Sequence, residues 1–372
     1  MLHKFPCLIY LLFPLCLACT NPTKPGAIQP ATTPVVIEAS DMFTLTASNQ
    51  RQYRIQIRYP GDYANQTSKK YPVILKIDGQ WDFPLAASVV NNIYFDGQMP
   101  EALVIGVDWL DTSPNLQAVR MRDLSPVAVE GVEASGQAAI FAKVLAEEVV
   151  PELAKRVRTN GQVYLLGGSL GANFATFALL EQPQAFSGAI AIGGSYGNSR
   201  AVYERLVQKH KGHNALENKR LYLGVGAADS LASQVNTFAE EMNKAGLTGL
   251  KIKLDVLEGY GHSGMNVPGY AAGYKYLFER PRLTLSKEYL KTLEGTYTSL
   301  DGKDMPIELR ITGQGLSVMR NGGAVPLHAQ SPNEFYYEGE LYNLVFSITE
   351  TKINLRMESF FGANEYSRIK SL

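Results

Sequence analysis

The stretch Gly167-Gly168-Ser169-Leu170-Gly171 constrains the fold of this chain more than any other segment. An apolar run typical of a buried strand, at 163–166, precedes it, and an alanine-rich run typical of a helix, at 172–180, follows it. The chain must turn from strand to helix within a few residues, which requires small neighbours and a strained backbone at the serine. A glycine-rich turn that only packs a helix on a strand is the alternative interpretation.

Short apolar runs alternate with helical stretches on both sides of this turn. They predict strands at residues 42–47, 52–59, 71–79, 102–107, 163–166, 187–192, 220–225 and 250–257. The spacing of apolar residues predicts one long helix at 137–157. The first two strands read as an antiparallel pair, and the rest are typical of a mostly parallel sheet wrapped by helices. The serine turn then follows the fifth strand of eight.

A serine nucleophile needs a base that accepts its proton and an acid that orients the base. Asp229 follows the apolar strand at 220–225, and His262 follows the strand at 250–257. Because the carboxyl ends of parallel strands meet at one edge of a sheet, these groups are expected to converge. The order serine, acid, histidine is that of the α/β-hydrolase fold. The sequence therefore predicts an α/β-hydrolase with Ser169, Asp229 and His262 as its catalytic residues.

Each downstream member of this set has a competing interpretation. Asp229 could cap a helix that begins at residue 230, because aspartate is a favoured N-cap. Asp255 and Glu258 are rival acids, although Asp255 lies within a strand and Glu258 is too close to the histidine to reach round to it easily. His262 could be an ordinary loop residue, but the glycines around it suit close approach to an active site.

An oxyanion hole needs two backbone donors, one after the nucleophile and one from the loop that follows the third strand. The loop contains Asp78-Gly79-Gln80, where Gly79 permits close approach. We predict the N–H groups of Leu170 and Gln80 as the two donors. The alternative is that Asp78-Gly79 is only a turn.

Cysteine and histidine usage narrows the chemistry further. Cys7, Cys16 and Cys19 are the three cysteines, so residues 20–372 contain neither a disulfide nor a thiol nucleophile nor a cysteine zinc site. His210 and His213 lie in a basic, polar stretch that predicts a solvated loop rather than a metal site. Lys+Arg and Asp+Glu each number 35, and this balance argues against nucleic acid as a partner.

Residues 1–18 predict a signal peptide of the lipoprotein type. Their apolar run, at 8–17, is too short for a comfortable bilayer span. Leu15-Cys16-Leu17-Ala18-Cys19 resembles a bacterial lipoprotein signal, which implies lipidation of Cys19. The sequence departs from that pattern at Cys16, where leucine is usual, and ordinary cleavage near Ala18 is the alternative.

Residues 19–40 are rich in proline and threonine and predict a flexible linker. Thr20 stands where an inner-membrane retention signal usually has aspartate, so the resemblance implies a periplasmic lipoprotein of the outer membrane. Contact with the membrane is then expected only through the lipid at Cys19.

The pattern changes near residue 282. From 285 to 372, short alternating runs predict strands at 295–300, 306–311, 316–319, 334–338, 342–348 and 352–357, separated by turns such as Asp301-Gly302 and Asn321-Gly322. They predict a small all-β domain, a curled sheet or barrel, separate from a catalytic domain at 41–282. His328 falls in this domain and is expected to have a structural role.

Four stretches together resemble the putative-esterase family of α/β-hydrolases, which includes esterase D, enterochelin esterases, feruloyl esterases and mycolyltransferases. They are Tyr71-Pro72-Val73-Ile74-Leu75-Lys76-Ile77-Asp78-Gly79, Arg120-Met121-Arg122-Asp123-Leu124-Ser125-Pro126, the serine turn and Gly259-Tyr260-Gly261-His262. The resemblance covers about residues 41–281 and implies serine ester hydrolysis without a cofactor. Ser169 would be the nucleophile, His262 the base and Asp229 the acid, although some siderophore esterases use a Ser–His dyad.

The C-terminal part has a resemblance of its own. Tyr289 and Gly295-Thr296-Tyr297 resemble small β domains appended to other exported serine hydrolases.

The sequence as a whole predicts an exported serine esterase that acts on a small-molecule or glycan-linked ester and needs neither cofactor nor metal. An acyltransferase or peptidase of the same fold stays open, as does a non-catalytic surface protein on a hydrolase scaffold. Arg120 and Arg122 could bind an acidic part of the substrate, and a structural ion pair with Asp123 is the competing interpretation.

Overall fold

A computed structural model describes residues 36–110, 115–313, 315–359 and 361–369 of the chain. The signal peptide, the lipidation site at Cys19 and most of the predicted linker lie outside the described residues. Among the helices in the described ranges, none has both the length and the apolar character needed to cross a membrane.

The first sheet of the described chain has eight strands. They are β1 Ser40–Thr46, β2 Gln52–Arg58, β3 Tyr71–Ile77, β4 Leu103–Trp109, β5 Thr159–Gly168, β6 Gly188–Ile192, β7 Lys219–Gly226 and β8 Leu250–Leu257, in the order β1-β2-β4-β3-β5-β6-β7-β8. β1 and β2 are antiparallel to their neighbours, and β3 to β8 are parallel. This confirms the predicted α/β-hydrolase fold, with the serine turn after the fifth strand.

Nine α-helices occur in the described residues. They are α1 Gly79–Phe95, α2 Leu116–Leu124, α3 Ala138–Val144, α4 Val150–Arg156, α5 Leu170–Glu181, α6 Arg200–His210, α7 Ala232–Ala245, α8 Asn266–Leu277 and α9 Lys287–Leu293. Two apolar cores cover the two faces of the first sheet. Along β3, Val73 and Leu75 enter the core beneath α3 and α5, whereas Ile74 enters the core beneath α1 and α8.

The long helix predicted at 137–157 is interrupted. α3 and α4 are joined by a π-helical turn at Leu145–Val149, and the backbone stays helical through the junction. Pro151 explains the wider turn, because proline has no N–H and its ring clashes with the carbonyl four residues earlier in an α-helix.

The second sheet is antiparallel throughout the pairs that the structure describes. Its nine strands are β9 Gly295–Ser299, β10 Ile307–Thr312, β11 Gly315–Arg320, β12 Gly323–Pro326, β13 His328–Ala329, β14 Glu334–Tyr336, β15 Tyr342–Ile348, β16 Lys352–Ser359 and β17 Gly362–Ile369. Their order is β12-β11-β10-β9-β17-β16-β15-β14-β13. This sheet has its own core, which includes Tyr297, Phe335 and Phe346. The predicted all-β domain is thereby confirmed as a fold class.

The sequence did not predict three of these strands, β12, β13 and β17. β17 joins β9 to β16, yet among its residues only Tyr366 is buried. A strand with one buried side chain lacks the alternation on which the prediction depends.

The second sheet contacts the first domain at the amino ends of the parallel strands. Gly97 lies in the turn before β4, and a side chain there would come within 2.7 Å of the carbonyl oxygen of Glu340. Arg280, just after α8, donates hydrogen bonds to Gln330 and Asn343. The carboxyl ends of the parallel strands, where the serine turn lies, face away from this contact.

Candidate active site

Ser169 lies at a sharp turn between β5 and α5. Its backbone has φ 56° and ψ −121°, a left-handed conformation that a residue with a side chain rarely adopts. A Cβ on Gly167 would lie 2.0 Å from the carbonyl oxygen of Gly171, so only glycine fits there. The Ser169 N–H donates to the carbonyl of Ile192 at 2.8 Å, which ties the turn to β6.

His262 and Asp229 are joined by a hydrogen bond of 2.8 Å between Nδ1 and Oδ2. The Asp229 side chain is 1% exposed, whereas the His262 side chain is 45% exposed. A histidine that donates its Nδ1–H to a carboxylate has Nε2 free to accept a proton. The other Asp229 oxygen accepts the N–H of Leu231 at 3.1 Å, just before α7. Asp229 therefore contacts the histidine and also the start of the helix that it was thought to cap.

The loops that carry the acid and the base are bonded to each other through their backbones. The N–H of Ala227 donates to the carbonyl of Leu257 at 2.9 Å, and that of Ala228 donates to Tyr260 at 3.0 Å. A Cβ on Gly226 would lie 2.2 Å from the Tyr260 oxygen, so the close approach requires glycine. These main-chain contacts therefore fix the position of the Asp229 loop relative to the His262 loop.

Asp255, one of the rival acids, has other partners. It accepts a hydrogen bond from the Tyr222 hydroxyl at 2.9 Å and pairs with Lys253 at 3.1 Å. Asp229, not Asp255, is the carboxylate hydrogen-bonded to His262.

His210 is not in a solvated loop, and that prediction was wrong. It ends α6, is buried, and its Nε2 lies 2.6 Å from the carbonyl oxygen of Leu180. With Tyr203 and Leu206 it forms the buried face of α6, at the spacing of an amphipathic helix. The lysines around it concealed that face in the sequence.

Ser169 and His262 line one cavity of about 350 Å³. No hydrogen bond joins the two side chains in the described part of the chain. Such bonds are often long in the absence of substrate and tighten when it binds. The other lining residues are Lys76, Asp78, Trp81, Asp82, Arg120, Gly168, Ser263 and Asn266.

Leu170 and Gln80 lie at the starts of two helices. Leu170 opens α5, and Gln80 is the second residue of α1. Neither backbone N–H finds an acceptor among the described residues, as is usual for the first turn of a helix. The two segments are neighbours, because a Cβ on Gly171 would lie 3.0 Å from Asp78 Oδ2.

Two ion pairs line the cavity. Arg120 donates from Nε and Nη2 to the two oxygens of Asp78, each at 2.9 Å. Lys76 Nζ lies 2.7 Å from Asp82 Oδ1, and the Tyr270 hydroxyl donates to Asp82 Oδ2. Burial, together with the negative charge of Asp82, raises the pKa of Tyr270 well above its ordinary value, so this hydroxyl remains a donor.

The amino-acid sequence was compared with profiles of known protein families, and one of them matches. The profile described as Putative esterase covers residues 46–263, which is more than half of the chain. The chain belongs to this family. It is a carboxylic ester hydrolase, as the sequence predicted.

Solved structures share the fold of this esterase. The BES protein from Bacillus cereus has a TM-score of 0.59 at 20% identity, over 68% of this chain and 99% of that one. An IroE-like serine hydrolase from Shewanella oneidensis has 0.57 at 22%, over 68% and 84%. Siderophore hydrolase EstB from Aspergillus nidulans has 0.56 at 21%, over 66% and 98%. No curated protein matches the chain.

Sequence reasoning missed Lys76, Trp81 and Asp82 in the cavity of this esterase. One signal was available, because Lys76 interrupts an otherwise apolar strand that is buried on both faces. Of the two arginines singled out, Arg122 pairs with Asp123 at 2.9 Å, whereas Arg120 pairs with Asp78. The ion-pair interpretation therefore holds for Arg122, and Arg120 has a different acidic partner.

Proposed function

We propose that this esterase is a serine hydrolase that works through an acyl-enzyme formed at Ser169. His262 is the general base and Asp229 the acid that orients it. The main support is the 2.8 Å bond between His262 Nδ1 and Asp229 Oδ2, together with the cavity that Ser169 and His262 share.

In this mechanism Ser169 Oγ attacks the ester carbonyl carbon while His262 Nε2 takes the hydroxyl proton. The negative charge that develops on the carbonyl oxygen is bound by the N–H groups of Leu170 and Gln80. Collapse of the tetrahedral intermediate breaks the bond to the alcohol, which leaves with the proton from His262. Water, deprotonated by His262, then attacks the acyl group and releases the acid and free Ser169.

Hydrolysis of the acyl-enzyme requires that water reach the base. Nearly half of the His262 side chain is exposed, so water can reach the position from which it would attack the acyl-enzyme. The cavity is small and lined mainly by polar side chains, with Trp81 as its one large aromatic residue. These features suit a polar small-molecule or glycan-linked ester with a short acyl group.

The first experiment compares wild-type protein with Ser169→Ala on p-nitrophenyl acetate and butyrate. We expect turnover by the wild type and none above background by the variant. A fluorophosphonate probe with mass mapping is expected to label Ser169. Equal turnover by both proteins would contradict the proposal.

We also propose export and lipidation at Cys19, which would anchor the enzyme to the periplasmic side of the outer membrane. The support is the resemblance of residues 15–19 to a lipoprotein signal. Metabolic labelling with a fatty acid is expected to mark the wild type and a Cys16→Ser variant but not Cys19→Ser. Labelling of Cys19→Ser would refute the assignment.

A further inference from the structure

The loop that follows β3 has two unusual backbone positions, and both are aspartates. We call residues 78–82 the oxyanion loop, because it contains the proposed donor Gln80. Asp78 has φ 64° and ψ 45°, a left-handed conformation. Asp82 has φ −139° and ψ 24°, which is not helical although α1 continues beyond it. The left-handed conformation at Asp78 costs free energy and persists only where the surroundings hold it.

Asp78, at the first end of the loop, is held by Arg120. The two hydrogen bonds of 2.9 Å make a bidentate contact, and both side chains are almost fully buried. Arg120 is itself fixed, because it donates to Gln117 at 2.9 Å and lies over the Trp81 ring at 4.4 Å. Since Asp78 also packs against Gly171, the contact joins the oxyanion loop to the serine turn.

Asp82, at the other end, is held by Lys76 and Tyr270. Lys76 is 2% exposed and, besides Asp82, contacts the carbonyl oxygen of Ile77 at 2.5 Å. A lysine in the middle of a buried sheet loses its hydration, and an apolar residue would pack there at lower cost. The ion pair with Asp82 therefore explains a lysine at position 76 better than packing does.

We infer that these two ion pairs clamp the oxyanion loop and hold the Gln80 N–H where the oxyanion forms. Asp78, Asp82, Arg120 and Lys76 are then positioning residues. Oxyanion donors lower the barrier only when they are already oriented, so a loosened loop loses transition-state binding rather than substrate binding. The cations also neutralise two carboxylates that would otherwise repel the oxyanion. This inference rests on the proposed function.

The test uses Arg120→Lys and Lys76→Met in the full chain, with active sites counted by fluorophosphonate titration. We expect kcat per titrated site to fall about 10- to 100-fold, while KM stays within about threefold. Affinity for a boronic acid, which forms a tetrahedral adduct like the transition state, should fall in parallel with kcat. Unchanged kcat per site and unchanged boronate affinity would overturn the clamp, and so would a rise in KM alone.

Arg122→Lys is the matched control. Arg122 lies on the same helix and makes a similar contact with Asp123, but it does not line the cavity. We expect wild-type kcat per site, whatever the change in melting temperature. If it loses as much kcat as Arg120→Lys, the effect is general to α2 and the clamp is refuted.

Asp82→Asn is the second variant if Lys76→Met does not fold. It keeps the shape of the side chain and removes the charge that Lys76 pairs with, so kcat per site is again expected to fall with little change in KM. Retention of wild-type kcat would count against the clamp. Failure of the proposed function itself would be seen separately, as turnover that persists in Ser169→Ala.

Discussion

The two sheets of this esterase bury their strands in different ways. In the first sheet, all seven residues of β3 and all seven of β4 are buried. In the second, β16 alternates, with Ile353 and Leu355 buried and Lys352 and Arg356 exposed. Parallel strands covered on both faces have little room for charge along their length, whereas an antiparallel strand can be polar on one face.

This difference in strand burial determines where each sheet places its charged side chains. In the first sheet, Lys76, Asp78 and Asp108 are buried near the carboxyl ends of β3 and β4. In the second, exposed pairs such as Arg320 with Glu340, at 2.7 Å, line the surface. Exposed pairs contribute little because water and salt screen them. We conclude that burial concentrates the reactive groups at one edge of the first sheet.

The largest effect is expected for Ser169→Ala. Turnover should fall by about 10⁴-fold or more, because the acyl-enzyme can no longer form. The melting temperature should change little. Ser317→Ala is the control from the second sheet, where the serine is buried and hydrogen-bonded to Thr312. If Ser317→Ala reduced turnover as much, the catalytic role would not be confined to the first sheet.

Asp229→Asn is expected to reduce kcat about a thousandfold, because the amide favours the wrong tautomer of His262. The matched control is Asp255→Asn, since Asp255 lies within β8, the strand that precedes His262, and pairs with Tyr222 and Lys253. Its kcat should stay within a few-fold of wild type, measured as p-nitrophenyl ester hydrolysis. A near wild-type rate for Asp229→Asn would instead indicate a Ser–His dyad.

Phe346→Ala should destabilise the second sheet by about 3–5 kcal/mol. Phe346 is buried against Tyr297 and Phe335, with ring centroids 5.9 and 5.5 Å away. Because both tryptophans, Trp81 and Trp109, lie in the first domain, their fluorescence follows that domain during urea unfolding, while circular dichroism follows both.

We expect Phe346→Ala to shift the circular dichroism transition and to leave kcat unchanged while the first domain is folded. Phe174→Ala is the counterpart in the first core, where the ring packs on Phe141 at 5.0 Å. It should shift both signals and reduce the amount of active enzyme. If Phe346→Ala loses activity at urea concentrations below its circular dichroism transition, the two sheets are energetically coupled.

The smallest effect concerns His328 in the second sheet. Burial, and then the charge of Arg282, lower the pKa of His328 below its ordinary value. Its contribution to stability is therefore present above about pH 6.5, the pKa of an unfolded histidine, and is lost as the pH falls through the folded pKa. The melting temperature should drop slightly over that range in the wild type and less in His328→Asn. An equal slope in both proteins would contradict this.

Much of this fold could be predicted because its signals are local. Apolar runs located the strands of the first sheet, and the glycines around Ser169 located the turn that only small residues permit. β17 escaped prediction because Tyr366 is its one buried residue in the described chain, so the strand lacks the alternation of buried and exposed side chains. The π-helical turn was not predicted, because a proline such as Pro151 can stand in the first turn of a new helix or can distort an existing one.

The charged part of the site could not be predicted in the same way. Asp78 and Arg120 are 42 residues apart in sequence, and nothing local indicates that they meet. The sequence proposed Asp123 as the arginine's partner because it is the nearest carboxylate in the chain. Buried ion pairs depend on the packing of whole elements, and therefore only the structure assigns them.

The backbone bonds from Ala227 and Ala228 to Leu257 and Tyr260 have a consequence for engineering. Grafting a histidine segment from a homologous enzyme would displace the aspartate segment as well, because backbone hydrogen bonds join the two segments. A chimera would have to exchange residues 226–262 as a single cassette. Substitutions that leave these backbone hydrogen bonds intact are safer to try first. The exposed side chain of Tyr260 is one such position.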